Sequence, residues 1–251
     1  MHILRLSHSG DTFPGVPEEA RSASITARAI QAATGQPVET TSRHLWPAQE
    51  LPDLIESWIA RYQPDVVIFW VNCYWFTYLN LPEARSSGRP IVKAAGRLAA
   101  RARLKKAVVY SAGKLRRQVL VWRGAGREFF EPEDIIALSG EVIRRILQHE
   151  QVSLIVRLDG PTPTILNRSM IARAEARRLV MHRALDTLCE QLHVPYIGLE
   201  DGIDYIRQGY VYKDGLHSSE KDHVRMAAEE TAAILKVWRG SGSGAGAGGQ
   251  R

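Results

Sequence analysis

Apolar positions along the chain follow two alternating rhythms. Short runs rich in apolar or β-branched residues lie at 2–7, 38–41, 66–71, 152–158 and 195–199. Between them are longer stretches in which apolar residues recur every three or four positions. The first rhythm suits strands buried on both faces of a parallel sheet, and the second suits helices packed on such a sheet. Val66–Val71 is the clearest strand, an unbroken apolar run entered through Pro64-Asp65. Leu51, Leu54, Ile55, Trp58 and Ile59 form the clearest helical stripe and predict a helix over 51–62. Residues 18–33 predict another, with Glu18 and Glu19 in its first turn, where they complement the helix dipole, and Gly35 and Pro37 at its end.

Further along, Pro90–Lys106 predicts a helix, Ala107–Ser111 and Val119–Trp122 predict short strands, and Gly124-Ala125-Gly126 a loop. Glu131-Pro132-Glu133-Asp134 opens a helix that runs to about His149. Residues 167–192 predict a long helix and 218–238 a closing one. This alternation implies an α/β fold, a three-layer α/β/α sandwich around a mostly parallel central sheet. The length suits a single domain over 1–239, followed by a flexible Gly- and Ser-rich tail at 240–251.

Composition narrows the class. No apolar run approaches the ~18 residues that suggest a membrane span. The N-terminus lacks the basic flank and long apolar core of a signal peptide. Cys73 and Cys189 fit a reducing compartment better than a disulfide framework, so a cytoplasmic location is expected. The formal net charge is +6, but it is unevenly placed. Between Ala84 and Arg127 stand 13 Lys or Arg and no Asp or Glu, leaving the rest of the chain with 20 basic and 27 acidic residues. This interval, 84–127, reads as a basic insertion or lid. It is a solvated face, an attractor for an anionic substrate or carrier, or a contact for an anionic membrane surface. Specific nucleic-acid binding is not expected, because no nucleic-acid module and little aromatic interleaving accompany the charge.

The two chain ends carry the candidate chemistry. Asp214-Gly215-Leu216-His217 precedes the closing helix. An Asp three residues before a His can hold the imidazole in one tautomer and stabilise the imidazolium that forms when it takes a proton. A serine at the other end, Ser9, follows the first strand in Leu6-Ser7-His8-Ser9-Gly10. Its hydroxyl needs such a base to become a nucleophile. The structural alternatives are that Ser9 caps a turn and Asp214 caps the last helix.

With Asn72 closing the strand Asp65–Val71, these residues resemble, in order, the blocks of the SGNH (GDSL-type) hydrolase family. In that family an N-terminal strand ends in Gly-Asp-Ser, an Asn follows the third strand, and an Asp-x-x-His lies near the C-terminus. The resemblance spans residues 2–237 and implies an SGNH/flavodoxin-like fold and a serine esterase or acyl hydrolase. Ser9 would attack, His217 would shuttle the proton, Asp214 would orient it, and Asn72 with the Ser9 N–H would hold the oxyanion. No cofactor and no metal are implied. Acyl transfer to an acceptor other than water uses the same triad. A catalytically impaired SGNH-fold binding protein, engaging an anionic partner through the basic segment, is the alternative from another class.

Departures from the family pattern motivate that alternative. The family's Gly-Asp-Ser is here Ser7-His8-Ser9, with Gly10-Asp11-Thr12 just beyond, which leaves Thr12 and Ser7 as other nucleophile candidates. The family's third oxyanion donor, the N–H of a Gly after the second strand, has no counterpart. No Gly lies between Gly35 and Gly88, so a donor near Thr41–His44 would have to come from a residue that does not readily take positive φ. Trp70, Tyr74 and Trp75 are either the apolar wall of a substrate pocket or core. Cys73 reads as a small buried residue, since nothing electropositive surrounds it in sequence. A metal trio of Asp214, His217 and His223 has poor spacing for ligation.

Overall fold

The computed structural model describes residues 1–81, 115–212 and 214–242. In chain order the regular elements are β1 (His2–Ser7), α1 (Ser22–Thr34), β2 (Glu39–His44), α2 (Leu51–Tyr62), β3 (Val66–Val71), α3 (Tyr74–Thr77), β4 (Leu79–Asn80), β5 (Arg127–Glu128), α4 (Pro132–Ile146), β6 (Ser153–Leu158), α5 (Arg168–Gln191), β7 (Tyr196–Ile197), α6 (Gly202–Arg207) and α7 (Glu220–Gly242). A helical stretch at 115–122 precedes β5. Among the described residues, five strands form one all-parallel sheet in the order β2-β1-β3-β6-β7. β4 and β5 pair separately as an antiparallel ribbon.

The period of two along each strand divides the core. Leu4, Leu6, Val67, Phe69, Val71, Leu154, Val156 and Leu158 face one side, the core layer shared by α2, α4 and α5. Ile3, Val66, Ile68, Trp70 and Ile155 face the other, against Ile30 of α1 and Met226 and Ile234 of α7. Two charged residues share that second face, Arg5 of β1 and Arg157 of β6, both essentially buried. Their guanidinium groups lie 5.1 and 5.4 Å from the Trp70 ring centre. Arg5 donates to Asp11 Oδ2 at 3.0 Å and to Glu230 Oε2 at 2.6 Å. Arg157 reaches Asp159 at 3.2 Å and Glu229 at 3.0 Å. The pairing anchors α7 to the sheet, and each buried charge has an opposite partner, as burial demands.

Several sequence expectations are corrected. The helix expected from Glu18 starts at Ser22: residues 18–20 form a separate 3₁₀ turn, and Arg21 is extended at φ −78°, ψ 148°. The first N–H of α1 has no local cap; Ser22 N–H donates instead to His223 Nδ1 of α7 at 3.1 Å, a tertiary partner invisible to local pattern. Val119–Trp122 is helical and not a strand; it has no strand partner among the described residues, and only Leu120 and Val121 within it turn toward the protein. The last helix continues to Gly242, past the expected start of the tail. The helix expected at 90–106 and the strand at 107–111 fall outside the described residues.

Candidate active site

Because all five strands run one way, the loops after β1, β2, β3 and β6 leave at a single edge. β1 lies between β2 and β3, so the chain reverses its direction of travel across the sheet there. Open α/β sheets place their sites at this kind of switch point, beyond the carboxyl ends of the strands. A cleft of about 350 Å³ opens at this edge, and His8, Ser9, Trp46, Asn72, Asp159 and His217 are among its lining.

Ser9 and His217, 208 residues apart in sequence, meet across it. Ser9 Oγ lies 3.2 Å from His217 Nε2, and His217 Nδ1 lies 2.8 Å from Asp214 Oδ2. With Nδ1–H donating to the carboxylate, Nε2 is left as the acceptor for the Ser9 hydroxyl. Asp214 Oδ1 accepts the N–H groups of Leu216 at 2.9 Å and His217 at 3.1 Å. Burial alone would raise the Asp214 pKa; the hydrogen bonds from the His217 ring and from these two amides outweigh it and hold the carboxyl below its ordinary range. Gly215 takes φ +75°, a left-handed position that favours glycine and closes this tight loop. Asp214 does not cap the last helix. Ser219 Oγ accepts the Asp222 N–H at 3.4 Å at the start of α7.

The other nucleophile candidates are placed differently. Ser7 is buried in β1. Thr12 Oγ1 meets His44 Nε2 at 3.1 Å, and among the described residues no carboxylate is hydrogen-bonded to that imidazole. Asp11 is buried, with Arg5 and Ser42 on its carboxylate. Asp11 thus ties the Gly10-Asp11-Thr12 turn to the sheet. His8, one residue before Ser9, directs Nε2 to Asp159 Oδ2 at 2.8 Å. Burial works against the Asp159 charge, but His8 and Arg157 together hold its carboxyl below the ordinary range.

Asn72 closes β3 and lines the cleft, 9% exposed. Its Oδ1 accepts the Tyr74 N–H at 2.9 Å, an Asx turn that fixes which end of the amide is which and leaves Nδ2 as the donor available to the cleft. Cys73 is buried, its Sγ 3.0 Å from the Asp159 carbonyl oxygen, and burial pushes its thiol well above the ordinary value. Of the aromatic trio, Tyr74 and Trp75 line the cleft. Trp70 does not: it is 1% exposed and packed between Arg5 and Arg157 on the α1/α7 face, behind His8. The alternation along β3 sends Trp70 to that face, which the unbroken apolar run conceals. Of the metal trio, His223 is buried with Nδ1 engaged by Ser22.

Three residues at the site lie outside the motifs that the sequence offered. Phe13 stacks on the His217 ring, centres 3.9 Å apart and planes within 7°. Trp46 lines the cleft and packs edge-on against Phe129 at 5.3 Å. Asp159 enters because β6 is neighbour to β3, a pairing that only topology gives; its position just past a buried-strand run was the available hint.

Solved structures share this architecture. One is a carbohydrate acetylesterase from Sinorhizobium meliloti, 11% identical, matched over 94% of this chain and 99% of that one with a TM-score of 0.55. Another is an aryl esterase from M. smegmatis, 12% identical over 94% and 98%, TM-score 0.53. A third is a family 3 carbohydrate esterase from Clostridium thermocellum, 13% identical over 96% and 98%, TM-score 0.52. The chain has the fold of the SGNH (GDSL-type) hydrolases. No protein-family model matches the sequence, and no curated protein does.

Proposed function

We propose that the protein is a serine hydrolase that cleaves acyl esters of small molecules, with Ser9, His217 and Asp214 as its triad and Asn72 as an oxyanion donor. The observation that carries this reading is the Ser9 hydroxyl 3.2 Å from an imidazole nitrogen whose partner nitrogen is held at 2.8 Å by Asp214. Ser9 Oγ attacks the ester carbonyl carbon while His217 Nε2 takes its proton. The carbonyl oxygen becomes an oxyanion, which Asn72 Nδ2 and the Ser9 backbone N–H stabilise. Collapse expels the alcohol, protonated by His217, and leaves Ser9 acylated. Water, deprotonated by His217, then attacks the acyl carbon and frees Ser9. Asp214 stays ionised throughout and stabilises the imidazolium.

The family's third donor is changed here. Leu45 N–H, the first amide past β2, is engaged by the Ser7 carbonyl at 2.8 Å, so it does not serve. The cleft is small and walled by Trp46, Tyr74 and Trp75, which suits a short or flat acyl group. The similar solved structures include a carbohydrate acetylesterase and an aryl esterase, so short aryl and sugar acetates are the first substrates to offer.

The test is reaction with a fluorophosphonate, read by intact mass and peptide mapping. One adduct on Ser9 is expected, absent in Ser9→Ala and strongly slowed in His217→Ala. An adduct on Thr12 would move the nucleophile to the Thr12–His44 pair, and no adduct on folded protein would overturn the enzyme reading.

A further inference from the structure

The helical stretch at 115–122 has two unlike faces. Leu120 and Val121 turn toward the protein, Val121 against the cluster of Leu79, Ile165 and Met170. Leu115, Val119 and Trp122, at i, i+4 and i+7, share the opposite face and are exposed, Trp122 by 84%. Arg116 and Arg123, also seven apart, flank this stripe on one side. Residues 115–127 contain four arginines, Arg116, Arg117, Arg123 and Arg127, and no acid. An outward apolar stripe ending in Trp and bordered by guanidinium groups matches an interfacial helix. Its apolar side enters the headgroup boundary, and the long cationic chains reach the phosphates.

The helix that carries the stripe lies near the cleft on its other side. Arg116, Arg117 and Leu120 border a hollow with Tyr78, whose ring lies 4.6 Å from that of Tyr74, a cleft residue. The cleft itself has exposed apolar groups, Trp46 and Leu216. We propose that the 115–122 face docks on an anionic lipid surface, with Trp122 at headgroup level and Arg116 and Arg123 on lipid phosphates. Charge complementarity selects an anionic surface, and the uninterrupted apolar stripe selects lipid over a soluble polyanion. The contact is peripheral: eight helical residues rise about 12 Å, and among the described residues no helix is long and apolar enough to cross a membrane. The docking holds whether or not Ser9 is the nucleophile. If it is, esters with an acyl chain held in the lipid surface become accessible to the cleft.

The full chain is floated with phosphatidylcholine vesicles that contain or lack about one third phosphatidylglycerol, a surface on which each nearby cation strengthens binding about fivefold. Flotation is expected only with the anionic vesicles and is expected to weaken with salt. Arg116→Gln with Arg123→Gln should weaken binding on the order of 30-fold, from that same per-charge factor. Val119→Ser with Trp122→Ser should abolish flotation, and brominated lipid should quench a fluorescence component that is missing in Trp122→Phe. These positions are exposed, so unchanged melting curves would confirm that the variants fold. Three results would overturn the proposal: no flotation with anionic vesicles, equal flotation with neutral ones, or flotation kept by the serine variant. The last would mark a cationic patch that holds any polyanion, an acidic protein included.

Discussion

Asn72→Ala separates a catalytic amide from a structural one. Asn72 lines the cleft, and the two ends of its amide can be told apart: Oδ1 accepts the Tyr74 N–H at 2.9 Å, and in the proposed mechanism Nδ2 donates to the oxyanion. Truncation to Ala removes both. Loss of the local acceptor destabilises by about 1 kcal/mol, as for a lost cap. A protein stable by only about 5 kcal/mol would still be more than ~99% folded after that loss, so instability does not reach the activity. Loss of an oxyanion donor, in contrast, lowers kcat by about 100- to 1000-fold, since the bond it makes strengthens as the charge develops. KM should change little, because the ground-state carbonyl uses the donor weakly. Asn72→Asp is the companion: it keeps an acceptor for Tyr74 N–H, lacks the donor and adds a negative charge beside the oxyanion. Its melting temperature should stay near that of the parent while kcat falls at least as far as in Asn72→Ala. The assay is hydrolysis of a short nitrophenyl ester, with thermal melts on the same samples. Asn72→Ala within about threefold of parental kcat, far short of the loss expected for an oxyanion donor, would refute the role. So would an active Asn72→Asp.

Other consequences follow from the buried charges and thiols. Arg5→Met leaves the Asp11 and Glu230 carboxylates, both fully buried side chains, without their shared cation, and should cost about 3–5 kcal/mol in urea unfolding; a loss under about 1 kcal/mol would show that the network is not an anchor. His223 is held neutral: burial lowers its pKa below the ordinary 6.5, and its Nδ1 accepts the Ser22 N–H. The unfolded chain therefore takes the proton first, so stability present above about pH 6.5 should fall as pH drops through that value. His223→Gln should flatten the dependence of melting temperature between about pH 7 and pH 5, above the window of the carboxylates; an unchanged slope would remove His223 as its source. Burial pushes the Cys73 thiol far up and the Cys189 thiol up to about 12, so a disulfide reagent should modify neither in the native protein, and rapid native reaction at Cys73 would contradict its buried placement.

Local pattern was sufficient wherever one residue's environment is set by its near neighbours. The unbroken run Val66–Val71 and the stripe from Leu51 to Ile59 are a strand and a helix because burial on two faces, or on one, requires those spacings. Asp214 and His217 were legible for the same reason, since the loop that joins them is four residues of contiguous chain. What local pattern could not decide is which distant groups share an edge. Asp159 joins His8 because β1, β3 and β6 lie side by side as parallel strands, and Ser9 meets His217 because α7, which follows the His217 loop, packs on α1 and the sheet. Trp70 stands next to cleft residues in sequence yet lies on the far face, where the pleat of β3 puts it between two buried arginines. Arg5, polar in an apolar run, is tolerated only because Glu230, 225 residues away, lies 2.6 Å from it. The composition and spacing of this chain determined its elements and proposed its chemical groups. The order of strands in the sheet decided which of those groups became one site, because side chains far apart in sequence interact only after the backbone hydrogen bonds of the sheet have fixed their distances.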